Sequence, residues 1–124
     1  MSLQHALDTI RKDHKLIFLL AVSEDGLVVA QSGETPEDSF APYAPMAVET
    51  ARRMAKSGGF DEPVCSALIL QDGRMLILYQ TVVVNRVLYL ALLCTKVPAG
   101  LKGVLQRIAE EIGSALGETG EKSS

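Results

Sequence analysis

Two Asp-Gly pairs, each between apolar runs, limit the folds open to this 124-residue chain more than any other feature. The first pair, Asp25-Gly26, lies inside LIFLLAVSEDGLVVAQSG, and the second, Asp72-Gly73, lies inside VCSALILQDGRMLILYQ. Asp-Gly in this setting is a strong hairpin signal, because both turn positions need φ > 0 and glycine tolerates that without steric cost. The second hairpin continues into RVLYLALLC, so the chain is predicted to form two strands and then three.

Apolar periodicity adds a helix before, between and after these groups of strands. Ser2 is the predicted N-cap of the first helix. Pro45 lies in the first turn of the second helix, after a separate turn at 36–41, and Gly58-Gly59 ends it. The result is an α+β domain. The predicted helices cover 2–13, 44–57 and 99–116, and the predicted strands cover 15–23, 27–32, 64–71, 74–81 and 86–95.

The apolar content of the strands predicts their order in an antiparallel sheet. The first and fifth strands are the most continuously apolar, so they are expected at the centre with helices on both faces. The predicted order is therefore 2-1-5-4-3. The third strand, 64–71, has no charge and no internal proline, and such an edge is a template for pairing with another chain. The second strand also lacks charge, so the pattern predicts dimerisation without selecting the edge.

Composition excludes several classes of function. The net charge of -3 gives no basic face for DNA or RNA. No apolar run approaches the roughly 20 residues of a membrane span, and the N-terminus has no apolar signal region, so a cytoplasmic protein is expected. The length predicts one domain over 1–116, followed by a disordered tail over 117–124. The two cysteines, Cys65 and Cys94, are expected to be buried free thiols.

Residues for catalysis are nearly missing. His5 and His14 are nine residues apart, about half a helical turn out of phase, and cannot hold one metal from a single helix. The sequence contains no HExxH, CxxC, GxxxxGK[ST] or GxSxG motif. We therefore predict no cofactor, no metal site and no enzymatic activity. The pattern favours a module that works by binding partners.

Two features could form a surface for a partner. Arg52 and Arg53 could neutralise phosphate charge as an arginine finger, but a solvated helix face with a Glu49–Arg53 pair is favoured. Three valines, at 82–84, occupy a position where a polar hairpin connection is expected. Extension of both strands is the favoured explanation, and contact of Val83 and Val84 with a partner is the alternative.

The chain resembles the Roadblock / dynein light chain family. The resemblance rests on LAVSEDGLVVAQSGE, on the joining helix and on ILQDGRMLILYQ followed by VLYLALL. The family motif of a strand, a Ser-x-Asp-Gly-Leu turn and a second strand ending in Ser-Gly matches at Ser23–Leu27 and Ser32-Gly33. It implies a profilin-like sheet with the first and third helices on one face and the middle helix on the other.

The resemblance also implies a function. Members form homodimers or heterodimers through the middle helix and third strand, and bacterial and archaeal relatives regulate small Ras-like GTPases. The leading hypothesis is therefore a non-enzymatic, cytoplasmic homodimer that binds, regulates or scaffolds such a GTPase. The alternative is a small-ligand sensor with a profilin-like fold. The predicted dimer interface consists of Tyr43, Met46, Ala47, Thr50 and Met54 on the helix and Ser66, Leu68 and Leu70 on the strand.

Overall fold

The computed structural model describes residues 2–34 and 36–123, with side chains through residue 117. Ser2 caps the first helix as predicted, because its hydroxyl oxygen accepts a hydrogen bond from the amide of His5 at 3.1 Å. A short 3-10 turn, Asp38–Phe40, precedes the middle helix. The elements are α1 (Leu3–Asp13), β1 (Leu16–Ser23), β2 (Val28–Gly33), α2 (Tyr43–Ser57), β3 (Ser66–Ile69), β4 (Met75–Val83), β5 (Arg86–Cys94) and α3 (Leu101–Ser123).

The five strands form one antiparallel sheet in the order β2-β1-β5-β4-β3, which confirms the predicted α+β architecture and strand order. β3 is four residues long, shorter than the predicted 64–71. The helix α3 continues to Ser123, past the predicted end at 116. The disordered tail at 117–124 stays a prediction, since the side chains of 118–123 and residue 124 lie outside the described part.

The sheet separates two apolar layers. On one face, α1 and α3 pack through Leu7, Ile10 and Ile108 onto β1, β4 and β5. On the other face, α2 packs alone through Ala44 and Val48. The central strands β1 and β5 are buried almost throughout, as their continuous apolar sequence predicts. The placement of one helix opposite two is therefore confirmed.

The Asp-Gly hairpins form differently from the prediction that both turn positions take φ > 0. Gly26 and Gly73 have φ of +80° and +89°, but the preceding aspartates are not left-handed. Each hairpin instead has a three-residue loop, in which only the final glycine needs positive φ. The two-residue turn is Val84-Asn85, with φ of +50° and +62°, where the sequence has no glycine.

The Ser-Gly pair that ends β2 attaches this strand to α1. Ser32 is buried, donates its hydroxyl to Asp8 and accepts a hydrogen bond from Nε of Arg11 at 2.8 Å. Gly33 has φ +92°, and a Cβ there would collide with the carbonyl oxygen of Ile17 and the side chain of Arg11. The close packing of β2 against α1 therefore requires a hydroxyl at Ser32, to bond with α1, and the absence of a side chain at Gly33.

Candidate interaction surface

The outer side of α2 carries a row of apolar side chains that the domain's own core leaves uncovered. Tyr43, Met46 and Met54 are 62%, 60% and 68% exposed, while Ala44 and Val48 face the sheet. Thr50 is exposed in the same row and donates its hydroxyl to the carbonyl of Met46 at 2.8 Å. Ala47 differs, because it is half-buried against the α2-side core. The row continues along almost the whole helix.

The strand β3 lies at the sheet edge and adds to this surface. Leu68 is 54% exposed, and Ser66 is half-buried on the same face, since alternate residues of a strand share a face. Leu70 lies just after the strand and is partly buried against the α2-side core. We call the eight predicted interface residues on these two elements the α2–β3 face. Its exposed members are available to a partner, and the interface itself stays a prediction.

Sequence reasoning missed Ile69, which is 78% exposed on the opposite face of β3. The prediction selected alternate residues of one face only. An edge strand of four residues that neither α1 nor α3 covers exposes apolar side chains on both faces. The available signal was that alternate residues of a strand lie on opposite faces of the sheet, so a predicted edge strand could expose apolar side chains on either face.

The two candidate arginines have different surroundings. The guanidinium of Arg52 donates to Oε1 of Gln80 at 2.7 Å and pairs with Glu62 at 2.6 Å. Glu49 approaches Arg52 at 4.0 Å, so the ion pair on this helix is i,i+3 and not the predicted Glu49–Arg53 pair. Arg53 is exposed. Arg52 thus connects three parts of the domain: α2, the strand β4 and the loop that precedes β3. This is a structural role.

The valine run confirms strand extension and corrects one residue of the predicted partner surface. Val83 is only 8% exposed and packs within the core between α1, α3 and the sheet, so it cannot present itself to a partner without disrupting that core. It is buried because β4 continues through it to pair with Arg86. Val84, in the turn, is half exposed and remains available.

The titratable groups of the described residues were candidates for metal binding and for nucleophilic chemistry. No group of three or more His, Cys, Asp or Glu side chains there could hold a metal ion. Both cysteines are free, Cys94 buried as expected and Cys65 only half-buried, and desolvation raises the pKa of each thiol. A raised thiol pKa lowers the thiolate fraction that nucleophilic chemistry needs. No described helix is both long and apolar enough to cross a membrane.

A five-stranded antiparallel sheet between one helix and a helix pair, with an exposed apolar row on the single helix beside an edge strand, defines the class as a small α+β domain of three layers. No protein-family profile and no curated protein matches the sequence. Solved structures do match. Myxococcus xanthus MglB is 17% identical with a TM-score of 0.69, covering 94% of this chain and 95% of that one.

Two further structures agree. The Roadblock/LC7 domain from Streptomyces avermitilis is 18% identical with a TM-score of 0.67, covering 96% of this chain and 98% of its own. An MglB described with a tetrameric arrangement is 15% identical with a TM-score of 0.70, covering 90% and 85%. The chain therefore has the Roadblock fold, as its sequence motifs predicted.

Proposed function

We propose that this chain is a non-enzymatic module that forms a homodimer through the α2–β3 face and binds a Ras-like small GTPase. The observation that carries the proposal is the row of exposed apolar side chains on α2 beside the edge strand β3. Solvent-exposed apolar side chains in one continuous row are typical of protein interfaces. Tyrosine and methionine are enriched at such interfaces.

The geometry favours a two-fold contact. Because α2 and β3 belong to adjacent parts of one surface, a second copy can place its own helix and strand on the same elements, which is an isologous interface. A stable contact of this kind buries on the order of 1,600 Å² in total. A structural neighbour described with a tetrameric arrangement supports self-association as a property to test.

The GTPase part of the proposal is supported by the Roadblock fold and by the family resemblance of the hairpin motifs. The absence of a P-loop in the sequence agrees with a protein that acts on a nucleotide-binding partner and does not bind the nucleotide itself. Regulation would then arise from differential affinity for the two nucleotide states of the partner, because a regulator shifts an equilibrium only through such a difference.

The test has two independent measurements. Light scattering at micromolar concentration should give twice the 13.3 kDa of one chain, and a mass of 13.3 kDa would contradict the dimer. Each Ras-like GTPase of the source organism, loaded with GDP or a non-hydrolysable GTP analogue, is then titrated by calorimetry. Binding to one GTPase with different affinity in the two states is expected. Failure with all of them in both states would refute the GTPase role and leave the dimer standing.

A further inference from the structure

One stretch of the sheet is open although it does not belong to the terminal edge strand. The last ladder pair of β3 with β4 is Ser66 with Leu78. β4 continues to Val83 and pairs with β5 along that whole length. The segment Tyr79–Val83 of β4, here called the open edge, therefore has no strand partner on its outer side among the described residues.

The loop before β3 faces this edge across a groove that both of them line, without pairing with it. Glu62 is fixed to Arg52 of α2 by the ion pair of 2.6 Å, and Arg52 also binds the side chain of Gln80. The chain joins the sheet at Ser66, and the groove between the loop and the open edge leaves room beside β4.

Backbone hydrogen-bonding groups point into that room. The amide of Leu70 donates to the carbonyl of Arg74 at 2.8 Å, which places the even-numbered residues of β4 towards β3 in the alternating antiparallel pattern. Gln80 and Val82 therefore direct their N–H and C=O groups outward. The segment Tyr79–Val83 has no charge and no proline, which makes it a template for another strand.

A groove borders the open edge on each face of the sheet. The groove on the α2 side has a volume of about 450 Å³, and its lining combines the apolar side chains of Val48, Leu78 and Val82 with the ion-paired Arg52 and Glu62. The groove on the α3 side, about 500 Å³, includes Gln106 and Glu110, and Glu110 is its one charged lining residue. Val82 is 63% exposed at the boundary. An added strand would therefore direct alternate side chains towards the apolar part of one groove and towards Glu110 in the other.

We propose that the open edge binds an extended segment of a partner protein by β-strand addition, with an apolar–basic–apolar pattern at three successive residues. The residues opposite Gln80 and Val82 share the α2 side and meet the apolar side chains of its groove, while Arg52 and Glu62 there are already paired with each other. The residue between them, opposite Thr81, lies on the α3 side, where a lysine or arginine can pair with Glu110. This site differs from the α2–β3 face and does not depend on the proposed GTPase.

The probe is the acetylated, amidated heptapeptide Ser-Thr-Val-Lys-Val-Thr-Ser, titrated into the full chain and followed by nuclear magnetic resonance. We expect the amide signals of Gln80 and Val82 to shift and their hydrogen exchange to slow. A peptide with glutamate in place of lysine should bind roughly fivefold more weakly, as for a partly exposed ion pair of about 1 kcal/mol. A peptide with proline at both valine positions should not bind.

Variants of the protein make the test specific. Glu110→Lys should reverse the preference towards the glutamate peptide, while Glu111→Lys, an equal charge change one residue outside the groove, should leave it unchanged. Val82→Pro should abolish binding, and circular dichroism should show that it stays folded, because the Val82 N–H does not face β5.

Three results would overturn the proposal. The first is a failure to bind at this site: either no binding at millimolar peptide, or shifts only in amide signals outside the open edge. Another is protection of the Gln80 and Val82 amides in the peptide-free protein that rises with its concentration, which would identify a second copy as the occupant. The last is protection independent of concentration, which would mean that the chain's own loop already covers the edge.

Discussion

The side-chain amide of Gln4 donates a hydrogen bond to the backbone carbonyl of Gln31 at 3.0 Å. The amide of Glu34 donates to Ile17 of β1, so the alternating pattern turns the Gln31 carbonyl away from β1 and towards the outer edge of β2. The helix α1 thus caps part of this edge. No side chain within the described part of the chain does the same for β3. The two edges that looked equivalent in sequence are unequal, which favours β3 for pairing.

Gln4→Ala should lower the free energy of unfolding by about 1–2 kcal/mol, because it removes the hydrogen bond to Gln31 and a second one of 3.0 Å to the carboxylate of Asp8, each with a usual net value of about 1 kcal/mol. The loss is limited because water can reach the freed carbonyl. Urea denaturation measures it. Gln106→Ala is the matched control, since it makes the same change on an exposed helical position of α3. Equal unfolding free energies for the two variants would contradict a stabilising role of the cap.

Met54→Glu should split the proposed dimer and leave the protomer folded. In a two-fold contact each substitution occurs twice, and burying an unpaired carboxylate costs several kcal/mol, which the separated protomer avoids by exposing it to water. Ile108→Glu should unfold the protomer, because Ile108 is fully buried against the domain's own sheet. Gel filtration and circular dichroism distinguish the two results.

Lys56→Glu is the control for Met54→Glu, because Lys56 is exposed on the same helix outside the predicted interface. It should leave both mass and fold unchanged. A Met54→Glu protein that remains dimeric would exclude α2 as the contact and leave β3 or another surface.

The sequence was sufficient for the architecture because the strongest physical signals are local. β1 and β5 are apolar along almost their whole length, and that alone places them centrally under helices. The path of the loop before β3 was not predictable, since it includes the ion pair of Glu62 with Arg52, two residues that only the tertiary structure brings together. The burial of Val83 depends likewise on where α3 crosses the β4–β5 hairpin. The spacing of the exposed row on α2 was predictable, but the sequence did not show that Ala47 would be half-buried by neighbouring parts of the domain.

The purified protein should neither bind nor hydrolyse GTP. Nucleotide phosphates need a cradle of backbone amides or a cluster of cations with a metal, and the sequence has no P-loop to supply one. Calorimetry with GTP and Mg²⁺, and phosphate release over hours, measure this directly. Micromolar affinity or release above the buffer rate would contradict the assignment as a non-enzymatic module.

Val84→Asn should stabilise the protein by about 1 kcal/mol. Val84 has φ +50°, a left-handed conformation that costs a β-branched residue roughly 1–2 kcal/mol and that asparagine adopts more readily. The side chain is half exposed, so little apolar burial is lost. Thermal unfolding of the variant gives the change. The same substitution at Val82, in extended β4, is the control and should give no gain.

Asp8→Asn should destabilise the protein at neutral pH and progressively less in acid. The hydrogen bond from Ser32 is the main cause that lowers the pKa of Asp8 below its ordinary value of 3.8, and Gln4 and the charge of Arg11 add to it. A carboxylate whose pKa is lowered by folding stabilises the native state above the unfolded-state pKa. That stabilisation is lost as the pH falls through the folded-state pKa.

The measurement is the urea unfolding free energy of the wild type and of Asp8→Asn at pH 7 and at successive values below pH 4. The gap between the two proteins should narrow as the wild-type carboxylate gains its proton. Repeating the comparison in a Ser32→Ala background removes the main cause of the shift, so the pH-dependent part of the gap should shrink there. A gap that is the same at pH 7 and at pH 3 would mean that Asp8 contributes through its shape and hydrogen bonds, and that its charge has no part in holding α1 on β2.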